Sequence, residues 1–410
     1  MAETTTAKAS SAPSEVPLGS LQGELRAGDR VLVVVAHPDD ESFGLGGVIA
    51  WLSEQSVTAD LVCFTAGEAS TFGESADLGA VRATELYAAA AVLGIRDTWL
   101  EGMPDGALIG EQARLEAVIE ARLGDAAALV CLEPSGVTGH PDHRTVAAAT
   151  TAVAARRGLP VLEWGVTPAV AAALAAELGA ELSGLDGPDV VEVRVDRARQ
   201  LAAIACHVSQ DPANKLLARR LELQGSTERL RVRSAPFDAR LARFVTAAGP
   251  LAREDAPFCD RERLLDLLVR FAAGTTWPPG AFNPDADGTR PYGVYCLHDD
   301  PAGWSIASLV LDAGQCTPPH EYETWGAAAT VTGVERNVRF AGRCPERLRP
   351  LGTQLSPPGA GYVFDTGDIY QASNAAGRRT VSVRLLVKGA HHPHERRREP
   401  SPLNCQTSTT

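Results

Sequence analysis

The sequence predicts two parts: a Rossmann-like, doubly wound, mostly parallel α/β sheet, then a small all-β barrel. Three observations carry this. Short apolar, β-branched runs alternate with helical stretches from about residue 30 to 230. From about Tyr292 the pattern changes to short strands separated by turns. With 410 residues, the chain is longer than one ordinary domain. The expected divisions are a disordered 1–24, an α/β domain over 25–245, a linker and helix over 246–275, a barrel over 276–392 and a disordered tail over 393–410. The first of these is rich in Ala, Ser, Thr and Pro, too polar to repay the entropy of ordering.

Val31–Val35 is five apolar residues, a strand buried on both faces. Pro38 ends its ladder, and a Gly-rich helix follows through Ser53. Ala59–Thr65 reads as the second strand, residues 69–78 as a loop over the strand ends, and Gly79–Leu93 as a helix. Thr98–Leu100 is a short strand with an Asp-Gly turn after it, Glu111–Leu123 a helix, and Ala128–Leu132 another buried strand. Helix Thr145–Arg157, strand Val161–Gly165, helix Ala169–Leu178 and strand Val190–Val195 continue the alternation. Arg197–Gln210 and Asn214–Leu221 read as helices, Gln224–Arg233 as a polar closing segment, and Val245–Asp260 as the linker before a helix at Arg261–Phe271.

A net charge of −13 argues against nucleic acid or an anionic membrane as partner. No apolar run reaches membrane-spanning length, and the N-terminus lacks the basic-then-apolar pattern of a signal peptide. Eight cysteines occur singly with no CxxC pair, which implies reduced thiols and a cytoplasmic location.

The first buried strand runs into His37-Pro38-Asp39-Asp40-Glu41, presenting one imidazole and three carboxylates at a sheet edge where α/β proteins place their sites. His37 and Asp40 are ordinary zinc-ligand types spaced to converge, but a catalytic zinc needs a third protein ligand and an open position. The strand at Ala128–Leu132 leads to His140-Pro141-Asp142-His143, which offers that ligand. Taken singly, the first stretch is also a plain turn with Asp40 or Ser42 capping a helix, and the second a solvated turn. Two such turns after two buried strands point instead to one metal site.

Together AHPDDE and HPDH resemble the signature of the LmbE/PIG-L family of zinc-dependent N-deacetylases, over residues 30–230 or so. The resemblance implies one zinc held by His37, Asp40 and His143, with Asp39 as general base. It also implies His140 as oxyanion donor, needing a proton to act, with Asp142 orienting it or holding it charged. Arg82, in an Arg-x-x-Glu stretch, and Asp105, in Pro-Asp-Gly, are the implied substrate-binding residues; otherwise they are a surface ion pair and a turn aspartate. His207 falls in a similar His-x-Ser-Gln stretch and is read as supporting the site from behind. The expected substrate is an N-acetylated amino sugar or related small metabolite, with secondary metabolism as the setting. An amidase removing a larger acyl group or cleaving a thiol conjugate is the alternative.

In the second part, the stretch from Gly314 through His320, Tyr322 and Asn337 to Gly367-Asp368-Ile369-Tyr370 resembles the cysteine-dioxygenase type of cupin. The family's iron-binding imidazoles match His320, Tyr322 and Tyr370 here. A phenol with a pKa near 10 gains little from ferrous iron at neutral pH, so neither an iron site nor dioxygenase activity is expected. The expected roles are packing, homo-oligomerisation or substrate recognition. His391, His392 and His394 read as surface residues of an Arg-rich tail.

Overall fold

The computed structural model describes Leu21 and residues 25–72, 75, 77–210, 214–282, 292–342 and 348–387. The expected disordered tail lies outside these residues, as do the three tail histidines. Of the N-terminal 1–24, Leu21 alone is described, and it is buried. The chain divides into two compact units: 25–150 with 162–233, and 151–161 with 234 onward.

The elements of the first unit, in order, are β1 (Arg30–Val35), α1 (Asp40–Phe43), α2 (Gly46–Glu54), β2 (Thr58–Thr65), α3 (Leu78–Leu93), β3 (Thr98–Met103), α4 (Gln112–Leu123) and β4 (Ala128–Leu132). They continue with α5 (Pro141–Arg157), β5 (Val161–Gly165), α6 (Pro168–Leu178), β6 (Val190–Arg194), α7 (Arg197–Ile204), α8 (Lys215–Gln224) and β7 (Thr227–Arg233). The seven strands form one sheet in the order β3-β2-β1-β4-β5-β7-β6. β3, β2, β1 and β4 run parallel, and β6 pairs antiparallel with β7. β1 and β4 are buried along their whole length, as double-faced burial of a parallel strand requires. The chain winds outward from β1 to β3, then returns to place β4 on the other side of β1. That reversal opens a crevice at the carboxyl ends of β1 and β4.

Three departures from the sequence reading have physical causes. α5 begins at Pro141 rather than Thr145, so His143 sits on a helical first turn; proline is pre-organised for that position. α7 stops at Ile204, six residues early, because His207, Ser209 and Gln210 turn inward to polar partners. The polar segment after α8 contains a strand, β7, whose Glu228, Leu230 and Val232 are buried in alternation with exposed or half-exposed arginines.

The second unit opens with α9 (Phe237–Ala248) and α10 (Phe258–Ala273), where a linker was expected over part of the range. Phe237, Leu241 and Phe244 give α9 its apolar stripe. The strands β8 (Gly293–Asp300), β9 (Trp304–Leu311), β10 (His320–Glu321), β11 (Gly326–Thr332), β12 (Glu335–Ala341), β13 (Arg349–Ser356), β14 (Gly361–Phe364), β15 (Ile369–Asn374) and β16 (Thr380–Val387) follow. They form a four-stranded sheet, β10-β15-β12-β13, and a five-stranded sheet, β14-β11-β16-β9-β8, with antiparallel pairing in both. Alternation sorts β16: Val383 and Leu385 pack with Leu264, Leu268 and Phe271 of α10, while Ser382 and Arg384 carry polar groups to the other face.

Candidate active site

The crevice gathers residues from four strand ends. His37 and Asp40 follow β1, Gly67 follows β2, Asp105 follows β3, and Gly136 to His143 follow β4. His37 Nδ1 lies 3.0 Å from His143 Nε2. Asp40 faces both rings, its Oδ1 3.2 Å from His143 Nε2 and its Oδ2 3.7 Å from His37 Nδ1. Asp40 is fixed in turn by the backbone N–H groups of Ala36 and His37, which donate to Oδ2.

The other ring nitrogens determine where the protons sit. His143 Nδ1 is 3.1 Å from the Gly136 carbonyl, so it carries the proton and Nε2 carries a lone pair. His37 Nε2 lies 3.0 Å from Asp105 Oδ1 and 3.4 Å from Asp142 Oδ2, between two carboxylates that both require a proton there. In the neutral ring, Nδ1 therefore also carries a lone pair. A positive charge between them, either a proton shared by His37 Nδ1 and His143 Nε2 or a metal ion in its place, lets the two nitrogens sit 3.0 Å apart beside a carboxylate. With Zn–N bonds of about 2.0–2.1 Å, a tetrahedral zinc sets two nitrogens about 3.3–3.4 Å apart, close to what is observed. The outer carboxylates and the carbonyl are the partners that metal-binding histidines usually have. The donor set fits zinc.

The electrostatics agree. Burial opposes charge on His37, but Asp105, Asp142 and Asp40 outweigh it and hold its pKa at about 10. Burial likewise opposes charge on His143, and Asp40 overcomes it and raises the pKa. Asp40 stays well below the usual carboxylate range, because the His143 and His37 charges outweigh its burial. The cluster thus attracts positive charge.

Asp39 stands beside the ligand set with φ 113° and ψ −29°, a backbone conformation that costs an ordinary residue about 1–3 kcal/mol. Two partners hold it there. Glu41 Oε2 accepts its backbone N–H at 2.9 Å, and Arg82 Nη2 donates to Oδ2 at 2.9 Å. Burial pushes the Asp39 carboxyl up to about 7, against the pull of Arg82 and with help from Asp40.

Arg82 itself is buried, and it also donates to the carbonyls of Gly67 and Pro38. Gly67 has φ +65°, and a Cβ there would lie 2.2 Å from the guanidinium, so glycine makes room for the arginine. Asp105 is likewise engaged, accepting the Ala69 N–H and facing His37. The structure thus sets Arg82 against Asp39 and Asp105 against His37.

The carboxylate of Asp142 accepts from Gly106 N–H and Leu108 N–H and faces His37. Its backbone N–H donates to His140 Nδ1 at 3.2 Å. A His140 ring that accepts at Nδ1 carries its proton at Nε2, so it can donate while neutral. Burial and the neighbouring His37 and His143 charges lower its pKa, which favours that neutral form. The sequence reading expected a proton on His140, with Asp142 orienting it or holding it charged; here the Asp142 backbone N–H meets His140 Nδ1 while the Asp142 carboxylate faces His37.

Sequence reasoning placed His207 behind the site without finding its partner. Its Nε2 lies 2.7 Å from Glu41 Oε1, both residues fully buried, so it backs the carboxylate that holds the Asp39 turn. Ser209 and Gln210 bond Glu85 and Ser70 from the same segment. A cavity of about 170 Å³ opens beside Asp39, Asp40 and His143, walled by Trp164, Leu182, Leu216 and Arg220 among others. None of those four was singled out from sequence, since they come from separate segments without a shared motif.

A protein from Corynebacterium glutamicum (strain R), "1D-myo-inositol 2-acetamido-2-deoxy-alpha-D-glucopyranoside deacetylase", is 38% identical over 86 residues, 18% of this chain and 30% of that protein. A "Probable N-acetyl-alpha-D-glucosaminyl L-malate deacetylase 2" from Bacillus subtilis (strain 168) is 33% identical over 86 residues, 20% of this chain and 39% of that protein. The chain thus spans about a third of the length of the curated relatives it matches. The N,N'-diacetylchitobiose deacetylase structure from Pyrococcus horikoshii is 22% identical, covers 50% of this chain and 84% of that one, and has a TM-score of 0.39. Residues 32–154, which carry both histidine motifs and the Asp39 turn, match the model of the family described as PIG-L, GlcNAc-PI de-N-acetylase.

Proposed function

We propose that the first unit is a zinc-dependent hydrolase that removes the N-acyl group, acetyl in the partial relatives, from an amino sugar or related small metabolite. The observation that carries this is the convergence of His37 Nδ1, His143 Nε2 and the Asp40 carboxylate, with Asp39 held next to them. The deacetylase names of the partial relatives support the same chemistry.

His37, Asp40 and His143 would hold the metal, which supplies a Lewis acid for the amide carbonyl and lowers the pKa of a water from about 15.7 towards about 7. Asp39 accepts that water's proton through Oδ1, because Oδ2 is occupied by Arg82. His140 donates Nε2–H to the oxygen that becomes negative as the carbonyl carbon is attacked. Asp39 then returns the proton to the nitrogen as the C–N bond breaks, leaving acetate and a free amine. Asp105 and Asp142 keep His37 in the tautomer that presents Nδ1 to the metal.

The test is acetate release by the zinc-loaded full-length protein from N-acetylglucosamine, its inositol and malate glycosides, and N-acetylated aminoglycosides. Release from at least one is expected. No release from any, by protein shown to hold zinc, would contradict the reading.

A further inference from the structure

The cavity beside the metal ligands is not lined the way a sugar subsite is. Asp39, Asp40 and His143 form one edge, and the walls are mostly apolar, with Phe43, Leu132, Trp164 and Leu216 among them; the polar wall residues Thr138 and Asn214 are already engaged, with the Gly136 carbonyl and the Leu217 N–H. A sugar offers hydroxyls and calls for carboxylates, amides and free guanidinium groups. The cavity's one cation, Arg220, is already committed. It donates to the Phe43 carbonyl and to Gln224 Oε1, and its guanidinium lies 5.1 Å from the centroid of the Trp164 ring. Neither Arg82 nor Asp105 reaches the cavity walls.

Two local features keep the cavity shaped and open. Gly44 sits in its wall, and a Cβ there would crowd Leu132 and Trp164 at 3.2 and 3.3 Å. Val137 adopts φ +62°, an unusual conformation for a β-branched residue, and its side chain is buried. Backbone strain of that kind persists where the surroundings impose it, and here it falls on a wall residue.

With the reacting amide at Asp39, Asp40 and His143, its amine side carries the polar amino sugar, so an apolar wall beside these residues suits the acyl side. We propose that the cavity binds the acyl portion of the substrate, and that this portion is an apolar chain or ring of about six carbons rather than acetyl. The size follows from the volume, about 170 Å³, since an engineered apolar cavity of about 150 Å³ holds benzene. An acetyl group would bring a single methyl and leave most of the apolar wall uncovered. The reaction is unchanged: water adds to the carbonyl carbon, the C–N bond breaks, and a fatty or aromatic carboxylate leaves with a free amine. This inference rests on the hydrolase reading above and narrows its substrate.

The experiment uses zinc-loaded full-length protein and two series of glucosamine derivatives, with the freed amine as readout. In one the N-acyl group lengthens from acetyl through butanoyl and hexanoyl to octanoyl, with benzoyl added. In the other the acyl group stays acetyl while the aglycone goes from methyl to hexyl and phenyl. The expected result is a kcat/KM at least about tenfold higher for hexanoyl or benzoyl than for acetyl, with no comparable gain along the aglycone series. Leu216→Trp, which fills the cavity, should bring the hexanoyl-to-acetyl ratio down towards one. If Leu216→Trp does not fold, Leu182→Phe serves, and the substrate series on the unaltered protein decides in any case. Equal or better hydrolysis of acetyl overturns the inference and leaves the hydrolase reading standing. A gain confined to the aglycone series overturns the acyl assignment. Failure to cleave any member overturns both.

Discussion

Both units bury charged and polar side chains, but they arrange them in opposite ways. In the second unit Arg384 faces Glu335 at 3.0 Å, and Glu335 also accepts from Tyr362 at 2.9 Å and from Ser382. The Tyr322 hydroxyl is bonded to Arg384, and His320 Nδ1 donates to the Pro318 carbonyl. There the acceptors meet donors, and charge is matched by opposite charge. In the first unit the equivalent density of polar groups brings two imidazole nitrogens and a carboxylate to one point. The first arrangement matches its charges within the folded chain, although Arg384 Nε and Asn337 Nδ2 are buried without a hydrogen-bond partner. The second draws in positive charge, a proton or a metal ion. Burial of polar groups is therefore a poor guide to a site, and the direction of the lone pairs is a better one.

The contrast can be broken most forcefully at Asp39. Asp39→Asn keeps the size and the contact with Arg82 but removes the base, and kcat should fall by about 10²–10⁴-fold while zinc is retained. Turnover near the unaltered rate in a zinc-loaded variant would remove Asp39 from the chemistry. In the second unit, Glu335→Gln leaves the Arg384 charge buried without its counter-ion. It should cost about 3–5 kcal/mol of stability, seen as a lower denaturant midpoint, with the zinc content unchanged. Asp105→Ala tests the partner of His37: zinc affinity should weaken by about 10–100-fold in a metal-competition titration. If Asp105 acts instead on substrate alone, KM would rise and zinc affinity would stay.

A smaller effect sharpens the same point through pH. Asp39 is a base only when deprotonated, and burial raises its pKa to about 7. Activity should therefore climb as pH rises through that region, and Asp39→Asn should erase this limb from the kcat/KM profile. Bound zinc adds positive charge beside Asp39, so in the zinc-loaded enzyme the limb should lie below that value.

The metal ligands were legible in the sequence because each half of the set is local. His37 and Asp40 share one turn after a buried strand, and His143 follows another buried strand, β4, by a loop. The sheet core was legible for the same reason, since Val31–Val35 and Ala128–Leu132 are unbroken apolar runs, and β2 and β5 are each interrupted by one acid, Asp60 and Glu163. What remained hidden depends on tertiary direction. No spacing rule tells that Arg82 turns to Asp39 or that Asp105 turns to His37. The pairing of His207 with Glu41 joins residues 166 apart in the chain. β7 was missed because its exposed arginines mask an alternation that Glu228, Leu230 and Val232 do carry. The cavity walls were hidden too, because Phe43, Trp164, Leu182 and Leu216 lie in four separate segments.

The account stands on one cation held by His37, Asp40 and His143. Its most direct test is a zinc titration of the metal-stripped full-length protein beside the same titration of His143→Ala. One tight site per chain in the first, absent from the second, is the predicted result. No tight site in the first, or an equally tight site persisting in the variant, would contradict it.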